Sequence, residues 1–340
     1  MYTIRKIIFF VSIFWFSLPS LNAQTPAERY GFSLTPLSGI LFGQSEEIVY
    51  KYSGKDQYLS QLLWDLKPLV YLGFAVDFGP RDPFARNGFI ATGTAKFGLP
   101  LKTGIIEDRD WMNMAHLGDS AYDYLTHYSH HDAYSQNAIL ADISAGYSWR
   151  LKDFLALSAS GQFSFMHFSW VAEDGYTQYA SDPGGKDYFP WGNDIPKERV
   201  YGPGLLYNQN WFIFAPVISL KGRINNLFSL EGNFSYSPLI YCFDRDDHLL
   251  TQTIYWDYLS FGHYINGGGK FIFSPNQMLD LSLAVSYRYI TGPRGATDIE
   301  YTTTGQDYPI GEAVRITNDG AGVGYSVLDV ELALRIRIGN

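Results

Sequence analysis

Sulfur, long apolar runs and positive charge are all scarce in this chain. Its 340 residues include one cysteine, Cys242, so no disulfide can form within the chain. The thiol sits among strand residues and reads as a small apolar side chain. Past the N-terminus, no segment approaches the ~18 uninterrupted apolar residues of a spanning helix, which argues against helical membrane crossing. Charged residues make up only 17% of the chain, and acids outnumber bases 34 to 25. The resulting net charge of -9 argues against a nucleic-acid partner and suits a cationic substrate.

Aromatic residues, by contrast, reach 17%, with 26 Tyr and 24 Phe, and Gly numbers 33. Aromatic excess, many glycines and modest charge suit an outer-membrane barrel with aromatic girdles. A secreted β-sandwich is the plainer alternative. Residues 1–23 read as a secretory signal peptide. Arg5 and Lys6 precede the apolar run from Ile7 to Leu18, and Leu21-Asn22-Ala23 offers a small-residue cleavage site. A first transmembrane helix is the competing reading. The run is ~12 residues against the ~20 needed to span, which favours cleavage. Residues 24–340 then form one domain, with no internal repeat.

Alternation of period two recurs along that domain. Leu328, Val330, Leu332, Leu334, Ile336 and Ile338 share one face, and Asp329, Glu331, Arg335 and Arg337 the other. Leu279 to Tyr289 and Leu155 to Phe165 repeat the pattern. Ten such segments are predicted, at 30–52, 57–79, 88–111, 132–151, 154–178, 205–224, 227–246, 254–273, 278–298 and 320–339. The fold class expected is all-β, a ten-stranded antiparallel transmembrane barrel. An even strand number closes the ring and removes edges. Short links such as Leu151-Lys152-Asp153 belong at the periplasmic end, and the long polar links 179–204 and 299–319 outside. Odd strands then run outward.

Two clusters fall at outer strand ends. Glu107-Asp108-Arg109-Asp110-Trp111-Met112 ends strand 3, and Asp244-Arg245-Asp246-Asp247-His248 ends strand 7. Residues i and i+2 of a strand share a face. Asp108 and Asp110 therefore form one acidic pair, and Asp246 and His248 another. Two carboxylates facing an Asp–His pair can activate water without a metal. Parity places Lys96, Lys102, Asp108 and Asp110 in the lumen, and likewise Glu47. In strand 7, Phe228, Leu230, Phe234 and Tyr236 set even residues outward, which misplaces Asp246 and His248. A bulge near Pro238 would restore them. Alone, each Asp-x-Asp reads more readily as solvated loop charge. An Asp/His cluster also invites a metal, yet no clear ligand set presents itself. His130, His131 and Asp132 read as solvated loop residues at the cleft rim, and Ser38 has no base beside it.

With these motifs in this order, the chain resembles the omptin family of outer-membrane proteases. The matches are Glu47-Ile48-Val49-Tyr50 with Ser60-Gln61-Leu62 and Trp64, then Asp108-Arg109-Asp110-Trp111-Met112, then Asp244-Arg245-Asp246-Asp247-His248. They span most of the mature chain, although 113–131 and 179–204 align poorly. One departure is the terminus Ile338-Gly339-Asn340, which lacks the aromatic residue usual in such barrels. The resemblance implies an endopeptidase that faces outside the cell. In it Asp246 orients His248, His248 is general base on a water, Asp108 helps hold that water, and Asp110 supports the acidic pair. It implies that Glu47 and Asp244 bind the basic side chain before the scissile bond. It further implies no metal or other cofactor, a requirement for lipopolysaccharide, and substrates that are peptides or proteins with basic residues. A barrel that has lost proteolysis and serves as surface adhesin or receptor is the alternative.

Overall fold

The computed structural model describes residues 30–51, 57–112, 124–181, 187–302, 311 and 313–338. The signal peptide expected at 1–23 lies outside the described residues. Fourteen strands form: β1 (Tyr30–Tyr50), β2 (Tyr58–Pro80), β3 (Gly88–Gly98), β4 (Lys102–Asp110), β5 (His127–Lys152), β6 (Leu155–Tyr179), β7 (Glu198–Arg223), β8 (Phe228–Ser237), β9 (Ile240–His248), β10 (Thr253–Ser260), β11 (His263–Phe273), β12 (Leu279–Thr291), β13 (Arg294–Tyr301) and β14 (Ala313–Ile338). All pairings are antiparallel, and β1 pairs with β14, so the sheet closes into a ring of 10 staves. Four staves are interrupted, giving β3/β4, β8/β9, β10/β11 and β12/β13. The breaks hold Pro100, Pro238, Gly262 and Gly292-Pro293. Proline donates nothing to a ladder and glycine weakens a strand, so the pairing lapses there.

The outer face of the barrel carries an apolar belt. Phe32, Leu34 and Phe42 of β1, Leu281, Leu283, Val285, Tyr287 and Tyr289 of β12, and Leu328, Leu332 and Leu334 of β14 are all exposed. These outward side chains alternate with polar ones inside, the arrangement of a lipid-facing barrel wall. The inside charges are matched. Lys96 Nζ lies 2.7 Å from Asp329 and 2.8 Å from Glu331, and the Tyr71 hydroxyl donates to Asp329 at 2.6 Å. Lumen-facing Gly39 leaves room for Tyr71, since a Cβ there would overlap its hydroxyl. Arg337 pairs with Asp280 at 2.5 Å.

A bilayer needs only about 9–11 residues of tilted strand. Strands of 21 to 26 residues therefore carry the wall far beyond the belt at the long-loop end. Just past the belt, aromatic rings fill the lumen. Trp64, Trp170 and Tyr207 stack with centroids 5.3 to 5.8 Å apart, and Phe168, Trp211 and Tyr325 extend the layer. Each such pair adds about 0.5–1.5 kcal/mol beyond the area it buries. The layer forms a floor beneath the space enclosed by β4, β9, β10 and the outer parts of their neighbours.

Several sequence expectations shift. The fourth stave begins at His127 and the sixth at Glu198, both earlier than predicted, so the long links are shorter than alternation suggested. Lys102 does not face the lumen. A register irregularity follows it in β4, and its ammonium pairs outside with Asp132 at 2.7 Å. His130, His131 and Asp132 are strand residues, not loop. His131 is buried and its Nδ1 meets the Asp174 carbonyl at 2.5 Å. An irregularity between Ser135 and Asn137 switches the parity of β5, turning odd residues inward in its outer part.

Candidate active site

The local pattern of β9 decides where its polar residues point. In β8, even residues Leu230, Phe234 and Tyr236 are exposed. In β9, Tyr241 is exposed while Cys242, Asp244 and Asp246 are buried. Parity thus reverses across Pro238-Leu239, where the bulge was inferred, and Asp244, Asp246 and His248 face the lumen. Arg245 and Asp247 face out and pair with each other at 2.7 Å. The same division occurs in β4. Glu107 and Arg109 pair on the outside at 2.7 Å, leaving Asp108 and Asp110 inside.

The Asp246 carboxylate is fully buried. Its Oδ2 accepts from His248 Nε2 at 2.6 Å, which leaves Nδ1 for the cleft. His248 remains about a quarter exposed, and the Tyr255 ring stands edge-on to it at 5.1 Å. Burial alone would lower the imidazole's proton affinity. Asp246, with Asp108 and Asp110 behind it, outweighs that and raises it to about 9.

Across the cleft, β4 lies between β2 and β5. Asp110 pairs in register with Ser60 and His127, and Asp108 with Leu62 and Ser129. Thr126 Oγ1 donates to the Asp110 carbonyl at 3.0 Å and accepts from the Met112 amide at 2.9 Å, which ties down the end of β4. Burial, then repulsion from Asp110, holds Asp108 well above the usual carboxylate range, against the pull of His248. Burial pushes Asp110 up to about 6 despite Ser60 and His248. His127 is buried beside Tyr179 and pushed down to about 4, so it is neutral at pH 7.

Deeper along β9 lies an acidic cluster. Glu47 from β1 and Asp244 from β9 are buried, and Asp257 from β10 joins them. Burial first, then the charges of Asp246, Asp244 and Asp257, raises Glu47 strongly. Burial and Asp257 do the same to Asp244. Tyr207 of the aromatic floor donates to Asp244 at 3.1 Å. The structure therefore brings together all six residues singled out in the sequence. It adds Asp257 and Tyr255, which sequence reasoning missed, and sets Ser60, quoted in the sequence only as part of a motif, beside Asp108 and Asp110. A lone acid within Tyr255-Trp256-Asp257-Tyr258-Leu259 was the available signal.

Chemically, the site offers an imidazole oriented by a carboxylate, opposite two carboxylates of raised proton affinity, next to a strongly anionic pocket. Among the described residues, no group of His, Cys, Asp and Glu is arranged to hold a metal ion.

The omptin family model matches residues 28–337, and the chain belongs to that family. Among solved structures, the outer membrane protease OmpT from Escherichia coli superposes with a TM-score of 0.78 at 17% identity. That match covers 94% of this chain and 99% of the OmpT chain. The Pseudomonas putida toluene transporter TodX reaches only 0.32 at 8% identity, over 90% and 89% of the two chains. Among curated proteins none matches.

Proposed function

We propose that this omptin-family chain is an outer-membrane endopeptidase whose cleft opens outside the cell. It cuts peptides or proteins after basic residues. The observation that carries the reading is the 2.6 Å Asp246–His248 pair, whose charge is felt by Asp108 and Asp110 across the cleft. Family membership and the fold shared with OmpT, a protein described as an outer membrane protease, support it.

In this mechanism a water sits between His248 and the Asp108–Asp110 pair. His248, neutral at its cleft-facing nitrogen, takes a proton from the water as the oxygen attacks the peptide carbonyl carbon. Asp246 holds the ring and stabilises the imidazolium. The carboxylates of Asp108 and Asp110 fix the water by accepting its other hydrogen. The tetrahedral intermediate collapses when His248 returns the proton to the amide nitrogen and the C–N bond breaks. No covalent bond to the enzyme forms. Glu47 and Asp244 supply the negative potential that draws in the basic side chain. Lipopolysaccharide is the expected lipid partner, and residues 1–23 the expected export signal.

The test is purified full-length protein, supplemented with lipopolysaccharide, incubated with a peptide library. Cleavage after Arg or Lys is expected, insensitive to chelators and leaving no adduct with serine-directed reagents. Absence of cleavage together with retained binding of cell-surface ligands would favour the adhesin alternative instead.

A further inference from the structure

The three carboxylates of the acidic pocket differ in how fully their oxygens are already used. Asp244 is held on two sides. Its Oδ2 accepts from the Tyr207 hydroxyl at 3.1 Å, and the Asp257 backbone N–H also donates to it. A chain of donors backs Tyr207. Gln209 Nε2 donates to the Tyr207 hydroxyl at 3.0 Å, and Gln209 Oε1 accepts from Trp211 at 2.8 Å and Ser45 at 2.7 Å. A carboxylate tied into the floor in this way is a framework group.

Glu47 and Asp257 each keep one oxygen open, as the dyad's Asp246 does at Oδ1, although the Asp257 carboxylate also accepts from the Thr297 side chain. Glu47 is 3% exposed and Asp257 is 2% exposed. Yet Glu47 Oε2 and Asp257 Oδ1 accept no hydrogen bond from the described residues. A buried acceptor without a donor is costly. A fold retains such groups where the donor arrives with a ligand. Asp257 is the register partner of Asp244 on one side and Thr297 on the other, so it lies on the lumen side of β10 at the level of the pocket. Its charge acts on Glu47, which stands on β1 more than two hundred positions away in sequence.

We propose that Asp257 is a specificity-determining residue. With Glu47 it supplies the free carboxylate oxygens that engage the cationic side chain before the scissile bond, while Asp244, its oxygens already held, adds negative potential. This assignment rests on the cationic-pocket reading given above. Two carboxylates on different staves approach a ligand from two directions. A planar guanidinium with five donors can bond both at once, whereas an ammonium presents one point charge. The pocket is therefore matched to arginine.

The experiment compares peptides that carry arginine or citrulline, its neutral isostere, before the scissile bond. Discrimination is read as the ratio of kcat/KM values in lipopolysaccharide-supplemented protein. A non-cleavable pair of the same peptides gives a ratio of Kd values by calorimetry, independent of turnover. Asp257→Asn is expected to reduce both ratios tenfold or more, as Glu47→Gln does, and Asp257→Glu to restore part of the loss. Asp244→Asn, which removes negative potential but no open oxygen, is expected to reduce the ratios less than Asp257→Asn does. If Glu47→Gln collapses the ratios and Asp257→Asn, folded by its heat-modifiable gel mobility, leaves them intact, the assignment of Asp257 is wrong and the pocket stands. If the unmodified protein fails to distinguish arginine from citrulline in either measurement, the cationic-pocket reading itself falls, and Asp257 with it. If turnover is absent but the Kd ratio is large and sensitive to Asp257, the assignment holds and the protease reading fails.

Discussion

The lumen of this barrel has two halves that treat charge in opposite ways. Within the apolar belt, cations and anions are matched: Lys96 with Asp329 and Glu331, Arg337 with Asp280, Arg335 near Asp77 at 3.7 Å. Beyond the aromatic floor the balance is lost. Glu47, Asp108, Asp110, Asp244, Asp246 and Asp257 converge with His248 as the cation that pairs with Asp246. The first arrangement keeps polar groups satisfied inside a wall. The second concentrates uncompensated negative charge, which raises proton affinities and leaves acceptors open. Sites that break the local rules of good packing are where function concentrates.

The comparison is tested most severely at the dyad. His248→Ala and Asp246→Ala are expected to cut turnover by ~10²–10⁴-fold, the usual cost of losing a general base. The barrel should remain folded, because neither residue belongs to the belt network. Near-normal cleavage by His248→Ala would remove it from the mechanism.

Lys96→Met probes the other half. It leaves Asp329 and Glu331, partly buried in the lumen, without their cation, and the cost is expected to stay below the ~3–5 kcal/mol of a fully buried pair. A lowered unfolding midpoint in guanidinium is expected, with cleavage specificity unchanged. A midpoint equal to that of the unmodified protein would show that the two halves do not differ as described.

Glu47→Gln separates recognition from stability. Loss of a charge-assisted pair costs ~1.5–3 kcal/mol, about 10- to 150-fold in the preference for basic over neutral substrates. No comparable loss of stability is expected, because the substitution relieves repulsion from Asp244, Asp246 and Asp257. Equal cleavage of arginine and alanine peptides by the unmodified protein would contradict this.

The smallest effect is in pH. His248, raised to about 9, is protonated at neutral pH and must lose that proton to act as base. Activity should therefore rise with pH, by at most about tenfold per unit, toward pH 9. It should fall more steeply below pH 6, where Asp110 also takes up a proton. Because Asp246 is the main charge raising His248, Asp246→Asn should shift the basic midpoint downward in whatever activity remains. An upward shift would reverse the assigned cause.

Much of this was legible in the chain. Leu279 to Tyr289 and Leu328 to Ile338 alternate without interruption, and both are strands in the expected register of faces. Asp108 and Asp110 share a face because they are two residues apart. What escaped was set by irregularities. Lys102 turned outward because β4 slips by one position beside it. His131 turned inward because β5 carries its own irregularity. Asp257 went unnoticed because one acid in an aromatic strand says nothing of what stands opposite.

The sequence by itself determined the ten staves and the pairing of near neighbours, because period-two alternation is local and survives averaging over a segment. It also determined that Asp246 and His248 act as one unit. Only the tertiary structure decided that Glu47 from the first stave comes near Asp257 from the eighth, and that an aromatic floor lies beneath them. It alone decided which carboxylate oxygens were left without donors. Those outcomes depend on ring closure and on single-residue slips in the ladder. A slip of one residue exchanges the two faces of a strand while leaving its composition unchanged.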